Sequence, residues 1–160
     1  MKIFSADYLC ELISEARSNT RKRQHRNIHE SHSDPCQCLF NAIEPYSYIR
    51  PHRHATDPRN ELLIAVRGSM ALLTFDEQGM VKEVVHFGAD SNAESLSIGA
   101  EVPASVWHTV IALKSGCILL EVKAGPFDPT QPKDLAVWSP EEGSAAASVY
   151  LSQLIKIVAG

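Results

Sequence analysis

The chain has no apolar run long enough to cross a membrane. No apolar run exceeds five residues, and Ile118 to Val122 is broken by Glu121. Met1-Lys2-Ile3-Phe4 leads into no apolar h-region and no small-residue cleavage site, so no secretory signal is expected and a cytoplasmic location is. Basic excess is also missing. The net charge is -4 over 160 residues, which argues against a nucleic-acid binder. No glycine-rich phosphate or dinucleotide fingerprint occurs. Cysteine is scarce. Cys10, Cys36, Cys38 and Cys117 form no C-x-x-C pair, and free thiols are expected. What remains is an ordinary globular composition, 44% hydrophobic and 21% charged, in a length that fits one domain.

The charge is uneven. Arg17, Arg21, Lys22, Arg23 and Arg26 stand against Glu30 alone between positions 17 and 32, which also hold His25, His29 and His32. Such a stretch is either a solvated arm or an anion-attracting rim beside a pocket.

Ser5 precedes the helical face Tyr8, Leu9, Leu12, Ile13 and Ala16, which predicts a capped helix over 5–17. After Pro35 the texture becomes strand-like. Strands are expected at 37–43, 46–54, 61–67, 69–75, 80–87, 94–98, 106–113 and 117–123, separated by Gly-, Pro- and Asp-containing breaks. On the last strand Ile118, Leu120 and Val122 are expected to face a core. Ser139-Pro140-Glu141-Glu142 reads as a capping box opening a helix over 140–157, whose face is Ala147, Tyr150, Leu151, Leu154, Ile155 and Val158. The expected organisation is a single all-β barrel domain, 1–160, with helices outside it. The N-terminal helix and arm take 1–35, the barrel 36–127, and a connector with the C-terminal helix 128–160.

His52 and His54 are two apart and share a strand face; Glu61 opens the next strand and His108 lies on a later one. If the sheet closes, three imidazoles and a carboxylate meet, a donor set for one divalent ion: Fe, Mn, Ni, Cu or Zn. Tyr48 and Arg50 fall on the same parity as the two histidines. Tyr48 is a hydrogen-bond donor or a core aromatic, and Arg50 an anion holder or a solvated mouth residue. Asn41 is a pocket polar group or a strand-end turn former. These three are carried as candidate substrate-binding residues. Trp107 points away from the histidine face and, with Ile64 and Val66, needs cover, which predicts a homodimer. His25, His29, His32 and His86 are read as surface.

The motif His52-x-His54, Glu61, six residues, Gly68 resembles the first motif of the cupin superfamily, and Pro103-Ala104-Ser105-Val106-Trp107-His108 its second. Four departures stand out. Six residues separate His54 from Glu61 where three or four are usual, Tyr46 replaces an opening Gly, Ser105 replaces the second-motif Gly, and Ala112 stands where Asn often follows. Arg21-Lys22-Arg23, His29, Asp34-Pro35, Asn41, Tyr48 to His54, Trp107 to Val110 and Glu121 to Phe127 resemble the WbuC-type cupin-fold metalloproteins over about residues 1 to 130. The resemblance implies a jelly-roll barrel with one metal held by His52, His54, Glu61 and His108, in a bacterial polysaccharide (O-antigen) biosynthetic context. An isomerase- or epimerase-like enzyme on a small polar or anionic sugar follows. The alternatives are an Fe(II)-dependent dioxygenase, a metal-free epimerase with a histidine base, and a non-catalytic metal-dependent binding or regulatory module.

Overall fold

A computed structural model of the chain describes residues 1–56, 58–89, 97–130 and 133–160. It is mainly β, with a helix near each end: α1 (Ala6–Ser18), β1 (Arg23–Asn27), β2 (Cys36–Ile43), β3 (His52–Arg53), β4 (Glu61–Arg67), β5 (Ser69–Phe75), β6 (Val81–Gly88), β7 (Gly99–Val102), β8 (Trp107–Ala112), β9 (Cys117–Ala124), β10 (Asp134–Leu135) and α2 (Ala145–Ala159). The strands form two five-stranded sheets, in the orders β1-β2-β9-β4-β7 and β10-β3-β8-β5-β6. All ladders between the named strands are antiparallel. This is the cupin-type jelly-roll barrel.

Strand alternation sorts each side chain to one of two faces. Met70 and Leu72 of β5, Val110 of β8, Leu63 of β4, Ile43 of β2 and Leu119 of β9 fill the barrel with Phe87. The opposite parity builds two outer layers. Ala71, Leu73, Trp107 and Ile111 pack under Leu151, Leu154 and Val158 of α2. Phe40, Ala42 and Ile118 pack under Leu12, Ile13 and Ala16 of α1. The α1 start is as expected, with the Ser5 side chain accepting from the Tyr8 N–H at 3.2 Å. Among the described residues no helix is long and apolar enough to cross a membrane.

Several expectations need correction. The C-terminal helix starts at Ala145 with Ser144 as its cap. Gly143 sits at φ +82, which a helix cannot include, and Glu142 is drawn to Arg21 and Arg23 at 2.8 and 2.6 Å. The strand expected over 46–54 shrinks to His52–Arg53. Tyr46 is left-handed at φ +66, at the position where the cupin motif has its Gly, and Pro51 has no N–H to give to a ladder. β1 lies inside the basic arm, β7 occupies an expected break, and β10 occupies the Pro-rich connector. The strand expected over 94–98 lies outside the described residues up to 96; beyond them Ser97 makes an isolated bridge to Phe87. As expected, Ile118 and Leu120 face a core, the hydrophobic cluster beneath α1.

The end of β2 is tied to α1 and to the β8–β9 turn by one buried carboxylate. Glu44 accepts from Arg17 Nε at 3.1 Å, the buried Gly116 N–H at 2.9 Å and Ser115 Oγ at 2.5 Å. Replacing it strands a buried N–H. Glu44→Ala is expected to cost about 1–3 kcal/mol in urea denaturation, and an unchanged midpoint would refute this role.

Candidate metal centre

His52 and His108 face each other across the β3–β8 ladder, as directly paired residues. His54 is anchored just beyond β3 by its N–H, which donates to the Ala104 carbonyl at 2.8 Å. Glu61 begins β4 in the other sheet, opposite Lys123 of β9. Closing the two sheets on each other brings these four buried side chains together. One potential ligand atom from each lies within 4.8 Å of all the others. The six-residue spacer before Glu61 does not keep it away. Its oxygens lie 3.6 Å from His54 Nε2 and 3.3 Å from His108 Nε2.

The outer ring nitrogens fix the histidine orientation. His52 Nδ1 meets the Arg50 carbonyl at 3.1 Å, and His108 Nδ1 meets the Val106 carbonyl at 2.9 Å. A carbonyl only accepts, so both Nδ1 atoms carry the proton and each Nε2 keeps a bare lone pair in the neutral ring. His54 Nε2 is buried with no hydrogen-bond partner. Backbone-anchored imidazoles beside one carboxylate are the donor set of a divalent first-row ion, and an orphaned buried ring nitrogen is what such an ion would satisfy.

The electrostatics agree. Burial, with smaller contributions from Lys133 and His108, pushes His52 well below the usual imidazole value. Burial would raise the Glu61 carboxyl, but the His108, His54 and His52 rings around it hold it well below the usual carboxylate range. His52 is therefore held neutral and Glu61 ionised, the forms in which these groups bind metal.

A cavity of about 310 Å³ opens beside His52, Glu61 and His108. Asn41 lies in its wall and donates through Nδ2 to Glu121 Oε1 at 2.9 Å. The structure does not bring Tyr48 or Arg50 to this cavity. The 47–51 segment is not a strand, so parity with His52 does not extend back along it. Tyr48 packs beneath α2 and its hydroxyl donates to the Pro140 carbonyl at 2.9 Å. Arg50 donates to Ser139 Oγ at 3.2 Å and the Ala136 carbonyl at 2.9 Å.

Sequence reasoning missed several groups at this place. Glu121 lines the cavity because the inward row of β9 holds Leu119 and Glu121. Burial, with repulsion from Glu61, raises its carboxyl. Lys133 of the connector lines the same cavity, where Glu121 and Glu61 face it. His25 lies in the wall as well, and His29 and His32 line an adjoining cavity with His52 and His54. The basic arm itself is largely neutralised. Arg17 pairs with Glu44, Arg21 and Arg23 with Glu142, and Arg26 with Glu15. Trp107 already has cover within the chain: Trp138 at 6.1 Å between ring centroids and the Arg53 guanidinium at 4.2 Å.

The family model described as "Domain of unknown function (DUF6016)" matches residues 4–87, just over half of the chain. No curated protein matches. Protein SO0799 from Shewanella oneidensis is similar in structure over 99% of this chain and 96% of its own, with a TM-score of 0.57 and 12% identity. TT1209 from Thermus thermophilus is similar over 78% of this chain and 97% of its own, with a TM-score of 0.52 and 20% identity. A point mutant of Bacillus subtilis oxalate decarboxylase is similar over 71% of this chain but 27% of its own, with a TM-score of 0.51 and 18% identity. At these identities the likeness is one of fold.

The depressed His52 sets a pH dependence. Folded His52 stays neutral while the unfolded residue takes a proton below about pH 6.5. Its contribution is therefore intact above that pH and is lost as pH falls toward the folded value. In metal-free protein, the unfolding free energy of the wild type should fall more steeply below pH 6.5 than that of His52→Gln. The difference should reach at most about 1.4 kcal/mol per pH unit, one proton. Parallel profiles would refute a neutral buried His52.

Proposed function

The chain belongs to the DUF6016 family, and we propose that it is a metal-dependent enzyme on a small polar or anionic substrate, isomerase- or epimerase-like, in which His52, His54, Glu61 and His108 hold one divalent ion. The observation that carries this reading is the buried donor set itself, with two rings anchored through Nδ1 and His54 Nε2 left without a partner. A bound ion would supply Lewis acidity toward a substrate carbonyl or hydroxyl oxygen. The chain's own residues do the rest. The backbone carbonyls of Arg50 and Val106 keep two rings in one tautomer. Leu63, Val110 and Leu119 supply an apolar patch in an otherwise polar cavity wall. The WbuC-like residue pattern supports a cytoplasmic role in bacterial polysaccharide (O-antigen) sugar biosynthesis, with 1–160 acting as one cupin domain.

Exposed Leu62 and Val66 on the outer face of β4 lie beyond the hydrophobic cluster under α1, which supports a homodimer through that face. A light-scattering mass of one 17.6 kDa chain at micromolar concentration would refute the dimer.

Elemental analysis is expected to find one divalent ion per chain after reconstitution. The ion should be lost in the His52→Ala/His54→Ala double variant and held more weakly in Glu61→Gln. Stoichiometric metal in the double variant would place the site elsewhere. For the reaction, loaded protein is incubated in D₂O with hexoses, sugar nucleotides and sugar acids. An isomerase or epimerase that moves a carbon-bound proton should leave deuterium in one of them, and no exchange in any would overturn the enzyme reading.

A further inference from the structure

Asn41 and Lys133 are unusual among the polar groups of the cavity. The Asn41 amide is oriented by its bond to Glu121, which leaves Oδ1 buried without a partner. A buried acceptor of this kind calls for a donor. Lys133, among the described residues, makes no hydrogen bond and no ion pair, although it lines the cavity beside His52, Glu61 and Glu121. The other cations nearby are engaged. Arg21 and Arg23 share Glu142, and Lys123 lies 3.8 Å from Glu61 with Phe127 beneath it. The open cationic capacity is thus one lysine, which matches a single negative charge.

Size narrows the choice further. The cavity is at the low end of the about 300–1,000 Å³ found for ligand sites. A sugar nucleotide would bring a diphosphate to one lysine and leave its nucleoside outside. A neutral sugar would leave the charge of this lysine unanswered by the ligand. A molecule with one carboxylate and several hydroxyls answers both open groups.

Building on the metal-dependent reading above, we propose that the substrate is a small hydroxy-carboxylate of sugar-acid size, whose carboxylate meets Lys133 and whose hydroxyl is received by Asn41 Oδ1 and the Glu121 carboxyl. Lys133 supplies charge recognition, and the Asn41–Glu121 pair distinguishes a hydroxylated chain from a plain one. These groups are binding residues supplied by the barrel itself, on β2 and β9, and by the connector that passes its mouth.

Calorimetric titration of the metal-loaded full chain tests this with gluconate, hexanoate and sorbitol, with metal content measured on the same samples. Gluconate is expected to bind at least tenfold more tightly than either control. Lys133→Gln should weaken gluconate at least tenfold and leave sorbitol unchanged, and Lys133→Arg should restore most of the loss. Asn41→Ala should bring gluconate down toward hexanoate. Lys133 is exposed as a residue, so its variants test the proposal even if Asn41→Ala misfolds. A loaded barrel that binds gluconate no better than the controls, or a preference that survives Lys133→Gln, overturns the substrate class and leaves the metal reading standing. A barrel that takes up no ion overturns the metal reading and this inference with it.

Discussion

The Glu61 carboxylate is the group the rest of the barrel has to accommodate. It is buried where the two sheets face each other, and burying a charge costs several kcal/mol unless partners return it. Those partners come from both sheets: His54 and His108 from one, Lys123 from its own. No local segment can assemble them. The contacts that satisfy the carboxylate are the ones that close β4 and β9 over β3 and β8, so sheet closure and site assembly are one event. The apolar cluster around Ile43, Met70 and Phe87 supplies the driving force, and the ionisable cluster fixes how the two sheets meet.

The basic stretch plays an architectural part. Its arginines reach acids on three elements: Glu15 on α1, Glu44 after β2 and Glu142 before α2. Exposed pairs of this sort stabilise little individually. Arg23 differs, because its guanidinium is mostly buried and also donates to the Tyr48 carbonyl at 2.9 Å. Together they lay β1 along the edge of its sheet, where charged residues also discourage edge-to-edge association. That placement carries His25 to the cavity. It also delays α2, since the Glu142 that would have begun a helix is held by two arginines instead.

Much of the site was legible because the H-x-H spacing acts through strand parity, which survives even in a two-residue strand. Glu61 and His108 were legible through motif spacing. Parity failed between Tyr46 and Pro51, where a left-handed residue and a proline take the chain out of any ladder. Hence Tyr48 and Arg50 point to α2 and its connector. β1 was hidden because its sequence, Arg23 to Asn27, is entirely polar and pairs only along one edge. Lys133 carried no signal at all. It lies on a connector without periodicity, and its neighbour β10 is a two-residue strand made by pairing with β3.

Glu121 was misplaced for a subtler reason. Alternation identifies two faces of a strand but not which is inside, and on β9 the apolar row Ile118, Leu120 looked like the inner one. It packs on the cluster with α1 instead, while Cys117 and Leu119 enter the barrel. The inward rows share a gradient that resolves the ambiguity. β4 reads Ala65, Leu63, Glu61; β8 reads Ala112, Val110, His108; β9 reads Cys117, Leu119, Glu121; β2 reads Ile43, Asn41. The rows of β4, β8 and β9 pass from apolar to ionisable, β2 sets Asn41 between Ile43 and Leu39, and the registers Leu63↔Glu121, Asn41↔Leu119 and Glu61↔Lys123 align these passages at one end. A row that is uniformly apolar belongs under a helix, because an outer layer needs only burial. A row that changes polarity along its length belongs inside a barrel that is core at one end and site at the other.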